Sequence, residues 1–261
     1  MKRIIKRNPR KNSKKTYYYI LIALAVVLFA IFIILIVRSA GRRLTGRRDF
    51  VIPEYSGQPY VEINGNMPFF TDEDLKRDTF EIYSELDPLG RCGTAFANVS
   101  RELMPTEKRE EIGYIRPTGW KQAKYEGIVD SNPPYLYNRC HLIAYCLTAE
   151  NANERNLITG TRYLNFYGML PFEEEVAAYL DENDNHVLYR VTPVFTGRNL
   201  VADGVLMEAY SVEDKGRGIC FCVYCYNVQP GITIDYKTGE SWEEGGMRYM
   251  ISGRNDNDGA F

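Results

Sequence analysis

Histidine is nearly absent from this chain, with only His141 and His186 among 261 residues. So few imidazoles leave little choice of a group that accepts a proton near neutral pH. The first 48 residues lack Asp and Glu altogether while carrying 13 Lys/Arg. The net charge of −2 therefore hides an asymmetry, because residues 49–261 carry 19 basic against 34 acidic side chains, a net of −15. An acidic body binds a polyanion only where its cations gather in one groove, and long-range steering toward it is weak. Residues 91–165 are the least acidic part of that body, with 10 basic and 8 acidic side chains. There is no internal repeat. The scarcity of aromatics that marks a disordered chain is also missing, since Tyr and Phe number 20 and 12. The length suits one domain of about 150 to 200 residues plus extensions.

Long hydrophobic runs are absent except for one, the 18 apolar residues 20–37. At about 1.5 Å per residue it nearly spans a ~30 Å hydrocarbon core, so the sequence predicts a transmembrane helix over residues 17–38. Tyr17, Tyr18 and Tyr19 form an interfacial belt, with eight Lys/Arg before the run and five arginines after it. That excess places the N-terminus in the cytoplasm and the remainder outside the cell. A cleaved signal peptide is the alternative, but the run is longer than such segments use and no Ala-x-Ala follows. The organisation expected is a basic cytoplasmic tail (1–16), the membrane helix (17–38), a juxtamembrane linker and lead-in (39–70), the main domain (71–240) and a C-terminal tail (241–261).

Six cysteines follow residue 91, namely Cys92, Cys140, Cys146, Cys220, Cys222 and Cys225. An even count outside the membrane permits disulfides without fixing any pairing. Zinc would want a fourth soft ligand that has no obvious place, so buried free thiols are the plainer reading.

Thr71, Asp72, Glu73 and Asp74 read as a helix start, with Thr71 as cap and the acids at the positive dipole end. Residues 90–100 read as a buried strand, 105–111 as a polar loop or short helix, and 135–145 as the first strand of a motif unit. Pro171 opens a helix with Glu173, Glu174 and Glu175 in its first turn and an apolar stripe at Phe172, Val176, Tyr179 and Leu180. Residues 186–194 and 218–228 read as strands of one sheet. Residues 235–239 look like a tight turn.

The chemistry concentrates at Asn138-Arg139-Cys140-His141-Leu142. A lone histidine opening an apolar run is ordinarily structural. Here it sits beside a guanidinium, with the carboxamides of Asn156 and Asn165 downstream, which supplies a base, a fixed cation and hard oxygen ligands for metal-assisted phosphodiester hydrolysis. Asn156 and Asn165 are nine apart, which at about 100° per residue places them on opposite faces of one helix. If both serve one site, Asn156 must precede the helix that carries Asn165.

The motif resembles the Asp-Arg-Gly-His signature of the DNA/RNA non-specific endonucleases, a family of the ββα-metal (His-Me finger) nucleases. Asn stands first and Cys third here, so the pattern departs from it twice. Leu89-Gly90-Arg91-Cys92-Gly93, Gly119-Trp120, Tyr135-Leu136-Tyr137, the run from Asn156 to Thr161, Asn227-Val228-Gln229-Pro230-Gly231 and Asp235-Tyr236 extend the likeness over residues 75–240. They are similar to bacterial secreted DNases and to membrane-bound nucleases of DNA uptake.

The resemblance implies an α+β fold with a central antiparallel sheet flanked by helices. It implies His141 as general base, Asn165 as the direct ligand of one Mg²⁺ for which Mn²⁺ can substitute, and Asn156 and Glu173 as holders of metal-bound water. Glu174 and Glu175 compete for the last role. Arg139 contacts phosphate or packs structurally, and Arg116, Lys121 and Lys124 are candidates for the substrate groove. Asn138 in place of Asp weakens the cation's water shell or preserves its hydrogen bonds, and Cys140 in place of Gly implies a backbone without positive φ. The expected protein is a membrane-anchored hydrolase of DNA, with RNA as a further substrate and the lipid bilayer as a partner. The competing reading is a catalytically silent nucleic-acid receptor for uptake.

Overall fold

Six antiparallel strands build the centre of the protein in the computed structural model, which describes residues 17–24, 26–29, 51–75 and 78–245. In chain order the strands are β1 (Tyr60–Glu62), β2 (Phe80–Tyr83), β3 (Ala95–Val99), β4 (Tyr137–His141), β5 (Leu157–Thr161), β6 (Val187–Val194), β7 (Gly204–Ser211), β8 (Cys220–Tyr226), β9 (Ile232–Ile234) and β10 (Ser241–Glu243). The central sheet has the order β1-β8-β7-β6-β3-β2, while β4–β5 and β9–β10 form two separate antiparallel pairs. The helices are a short α1 (Tyr145–Thr148) and the longer α2 (Leu170–Glu182). This is the α+β architecture with an antiparallel sheet that the sequence led us to expect.

Alternation along the sheet strands sends successive side chains to opposite faces. Ala95, Ala97 and Val99, Val187, Tyr189 and Val191, and Val205, Met207 and Ala209 enter one core with Val176 and Leu180 of α2 and with Cys140, Leu142 and Leu147 around β4. Burying each of the larger aliphatic side chains contributes roughly 1.5 to 3 kcal/mol. The opposite face is covered by the segment before β2. Arg190 forms an ion pair with the buried Glu208 at 2.7 Å and lies 4.7 Å over the Phe70 ring. Tyr226 donates to the Pro53 carbonyl, and β1 pairs with β8. Part of the stretch read as lead-in thus belongs to the central sheet.

The expected helix start at Thr71 is a single turn instead. Thr71 and Asp74 exchange backbone and side-chain hydrogen bonds, and the chain then enters edge strand β2, whose Ile82 is exposed. All six cysteines are free thiols.

The described residues fall into two units, one ending at Val51 and one starting at Ile52. In the first, residues 17–24 and 26–29 are helical. Among the described residues no helix is long and apolar enough to cross a membrane. Residues 25 and 30–38 of the expected span lie outside the described residues, as do 1–16 and 246–261.

Candidate active site

The β4–β5 pair carries the motif and is tied to the sheet by a buried asparagine. Asn227 accepts from the Thr161 amide at 2.8 Å and donates to the Thr159 and Ala202 carbonyls at 3.0 and 2.8 Å. Thr161 Oγ1 donates to the Val228 carbonyl and accepts from the Leu164 amide. The Asn227-Val228 element therefore positions the hairpin and takes no part in the cleft.

His141 ends β4 and is 7 % exposed. Its Nε2 lies 2.8 Å from the Asn151 carbonyl oxygen, which can only accept, so the neutral ring carries its proton on Nε2. Nδ1 is left with its lone pair, 3.3 Å from a guanidinium nitrogen of Arg109. Burial, more than Arg109, pulls the His141 pKa down to about 4 despite the opposing Asn151 hydrogen bond. The ring is a neutral base throughout the physiological range.

Cys140 lies in the core beneath the motif, and its φ is not positive. The space for its thiol comes from the neighbouring strand, because a Cβ on Gly160 would stand 2.3 Å from Cys140 Sγ. A glycine opposite the motif compensates for the side chain within it.

After β5 the chain forms a π turn, Leu164–Met169, in which the Leu170 amide reaches back to the Asn165 carbonyl. Such wide turns re-aim a side chain and recur at functional sites. Gly168 lets this one approach β8, since a Cβ there would lie 3.2 Å from that of Cys225. Pro171 then starts α2, where Glu173, Val176 and Leu180 share the buried stripe. Glu173 is thereby buried at the head of the helix, while Glu174 and Glu175 are exposed. Burial first and the charge of Glu174 second push the Glu173 pKa up to about 8.

Asn138, Arg139, His141, Asn165 and Glu173 line one cleft of about 480 Å³, together with Arg109, Ile112, Tyr145 and Cys146. Asn156 does not line it. Fully buried, its carboxamide accepts from the Ile143 amide and donates to the Ile143 carbonyl, both at 2.9 Å, fixing the backbone just past the histidine. Arg139 reaches the cleft but has its guanidinium committed, donating at 2.6 Å to both Ile115 and Gly113 carbonyls and lying 4.3 Å over Trp120. Arg116 flanks it and is exposed, as are Lys121 and Lys124, and none of the three lines the cleft. Lys124 lies over Tyr135. The second histidine, His186, pairs with Glu213.

Arg109 is the cleft residue beside His141 that the sequence did not single out. It lies in an irregular, Glu-rich segment, and its contact to His141 spans 32 residues, so no periodicity or local motif marks it. The segment is pinned to the motif unit: Tyr145 donates to the Glu107 carbonyl and Asn151 to the Glu110 carbonyl, while Ile112 and Ile115 pack on Leu157.

The donors fit a hard divalent cation. Among the described residues Glu173 has no hydrogen bond or ion pair, an arrangement that leaves a buried carboxylate wanting a positive partner. Asn165 and Asn138 add carboxamide oxygens. No group of three or more His, Cys, Asp or Glu side chains suited to a metal occurs among the described residues. Few protein oxygens with several waters is the coordination Mg²⁺ favours.

The family model of the DNA/RNA non-specific endonucleases matches residues 73–213. A curated relative described as a deoxyribonuclease, from Streptococcus dysgalactiae subsp. equisimilis, is 26% identical over 201 residues, covering 60% of this chain and 59% of that protein. The chain thus spans somewhat under two thirds of that relative's length. The crystal structure of NucA from Streptococcus agalactiae with magnesium ion bound is 25% identical, with a TM-score of 0.64 over 79% of this chain and 94% of that one. The Sda1 nuclease with bound zinc ion, at 24% identity and a TM-score of 0.59 over 71% of this chain and 98% of that chain, shares the fold.

Proposed function

This chain belongs to the DNA/RNA non-specific endonuclease family, and we propose that it is a membrane-anchored, Mg²⁺-dependent, sequence-non-specific endonuclease acting on DNA outside the cell. The observation that carries the reading is the histidine: a neutral imidazole with Nε2 occupied by the Asn151 carbonyl and Nδ1 beside the Arg109 guanidinium, lining one cleft with Asn165 and Glu173. The anchoring rests on the 18-residue apolar run and its flanking basic residues.

In this mechanism Asn165 would hold the cation, and Glu173 and Asn138, which line the same cleft, would hold the water around it. When bound, the cation neutralises charge developing on the scissile phosphate and on the leaving oxygen. His141 takes the proton of the attacking water at Nδ1, a role that typically contributes ~10² to 10⁴-fold. Arg109 has no ion pair among the described residues and is exposed, so its guanidinium can pass from Nδ1 to a phosphate oxygen as the water takes its place. Arg139 braces the segment that carries Arg109 through the Gly113 and Ile115 carbonyls. Asn156 holds the Ile143 backbone and keeps the hairpin end rigid.

Plasmid digestion by the full-length chain tests the reading. Nicking that needs Mg²⁺, stops with EDTA and resumes on adding Mg²⁺ supports it, whereas DNA retention without cleavage under any divalent cation replaces it with the receptor reading.

A further inference from the structure

Tyr114 is 73 % exposed, the most exposed aromatic among the described residues of the unit that starts at Ile52. Its backbone is nevertheless held on both sides. The Gly113 carbonyl accepts from Arg139 and Arg116, and the Ile115 carbonyl accepts from the same two guanidinium groups at 2.6 and 3.1 Å. Ile112 and Ile115 are anchored against Leu157. A clamped turn thus presents one ring to solvent, and its neighbours Arg109 and Ile112 line the catalytic cleft.

The segment that supplies Asn165 to the cleft carries a second exposed ring. Phe166 follows Asn165 directly and is 38 % exposed. The Arg162 guanidinium lies 4.2 Å over its ring. Two separate segments that contribute residues to the cleft therefore each carry an exposed ring, Tyr114 with guanidinium groups on its flanking carbonyls and Phe166 with Arg162 over its ring and Tyr167 at 5.1 Å.

Charge decides what such rings are for. With 19 basic against 34 acidic side chains in residues 49–261, long-range attraction contributes little to holding a polyanion. Affinity must come from short-range contacts near the cleaved phosphate, and base–aromatic stacking supplies it without reading sequence. In a duplex the base faces are covered by neighbouring pairs, so a side chain reaches them only where bases are unpaired.

We propose that Tyr114 and Phe166 are stacking positions for the bases next to the phosphate in the cleft, and that the preferred substrate is a strand with unpaired bases. This rests on the nuclease reading of the same cleft and goes beyond it in naming the substrate form.

The test uses the full-length chain carrying His141→Ala, so that binding is read without cleavage. Its probes are a fluorescein-labelled DNA 12-mer, the same strand annealed to its complement, and versions with single abasic sites, followed by anisotropy in Mg²⁺. The single strand should bind at least about tenfold more tightly than the duplex, and Tyr114→Ala and Phe166→Ala should each weaken single-strand binding by about tenfold. Tyr114→Phe should bind as the parent does, and an abasic site that weakens binding to the parent should weaken it no further in Tyr114→Ala. Single-strand binding within twofold of the parent in both alanine variants, or equal losses on duplex, overturns the proposal. Cleavage by the chain with His141 intact is assayed in parallel. If neither strand form is cut, the nuclease reading fails, while the binding series still decides the stacking role.

Discussion

Nδ1 of His141 and a guanidinium nitrogen of Arg109 stand 3.3 Å apart although the residues are 32 positions apart in the chain. With Nε2 bound to the Asn151 carbonyl, Nδ1 is the only ring atom able to take a proton, and the cation beside it opposes that uptake. One contact therefore adds to burial in weakening the base and, in the proposed mechanism, places the nearest phosphate-binding group beside it.

Arg109→Ala should lower kcat/KM by about 10² to 10³-fold, the usual cost of removing a positioned donor from developing charge. It should also move the acid limb of the pH–rate profile upward, because a positive charge that disfavours imidazolium is gone. Arg109→Lys should restore the limb while recovering only part of the rate. An unshifted limb with a rate within threefold of the parent would refute the pairing.

Asn156→Ala should act on stability before chemistry. It strips both backbone groups of Ile143 of their partners in a fully buried place. Each orphaned group costs about 1 to 3 kcal/mol, so thermal unfolding should fall by several degrees, and Asn156→Asp should not rescue it because the Ile143 carbonyl still lacks a donor. An unchanged melting temperature contradicts this assignment.

Four of the cleft's residues, Asn138, His141, Asn165 and Glu173, are among those the motif resemblance points to, and local sequence signals place the elements that carry them. His141 and Asn138 sit in one tetrapeptide, Asn165 follows by short spacing, and Glu173 begins a helix that Pro171 marks, with Val176 and Leu180 on the same stripe. The sequence could not choose among Glu173, Glu174 and Glu175, whereas burial does. The resemblance casts Asn156 as a holder of metal-bound water, whereas its carboxamide is spent on the Ile143 backbone. β7 went unread because it is almost wholly buried and shows no polar alternation. Arg109 needs a tertiary contact that no local pattern encodes.

Gly160→Ala should destabilise the motif hairpin by roughly 1 to 3 kcal/mol, the usual cost of overpacking. The added methyl meets Cys140 Sγ at 2.3 Å. Cys140→Gly in the same chain should recover most of the loss. Additive behaviour of the two changes in denaturant unfolding would show that the pair does not share this space.

Glu173 and His141 give stability opposite pH dependences. Glu173, raised to about 8 in the fold, contributes stability without cation below about pH 4.5 that is lost as pH rises through 8. His141, depressed to about 4, contributes stability present above 6.5 and lost as pH falls through 4. A divalent cation gives ionised Glu173 its partner, so Mg²⁺ should raise the melting temperature more at pH 8.5 than at pH 5.5, and Glu173→Gln should remove that difference. Equal stabilisation at both pH values would exclude Glu173 from the cation's surroundings.

The most direct test of the account is chemical rescue of the base. His141→Ala should slow single-turnover cleavage of plasmid DNA by about 10² to 10⁴-fold while leaving far-UV circular dichroism unchanged, and free imidazole should restore part of the rate in proportion to its neutral form. A His141→Ala chain that cuts within threefold of the parent would contradict the assignment of His141 as the general base.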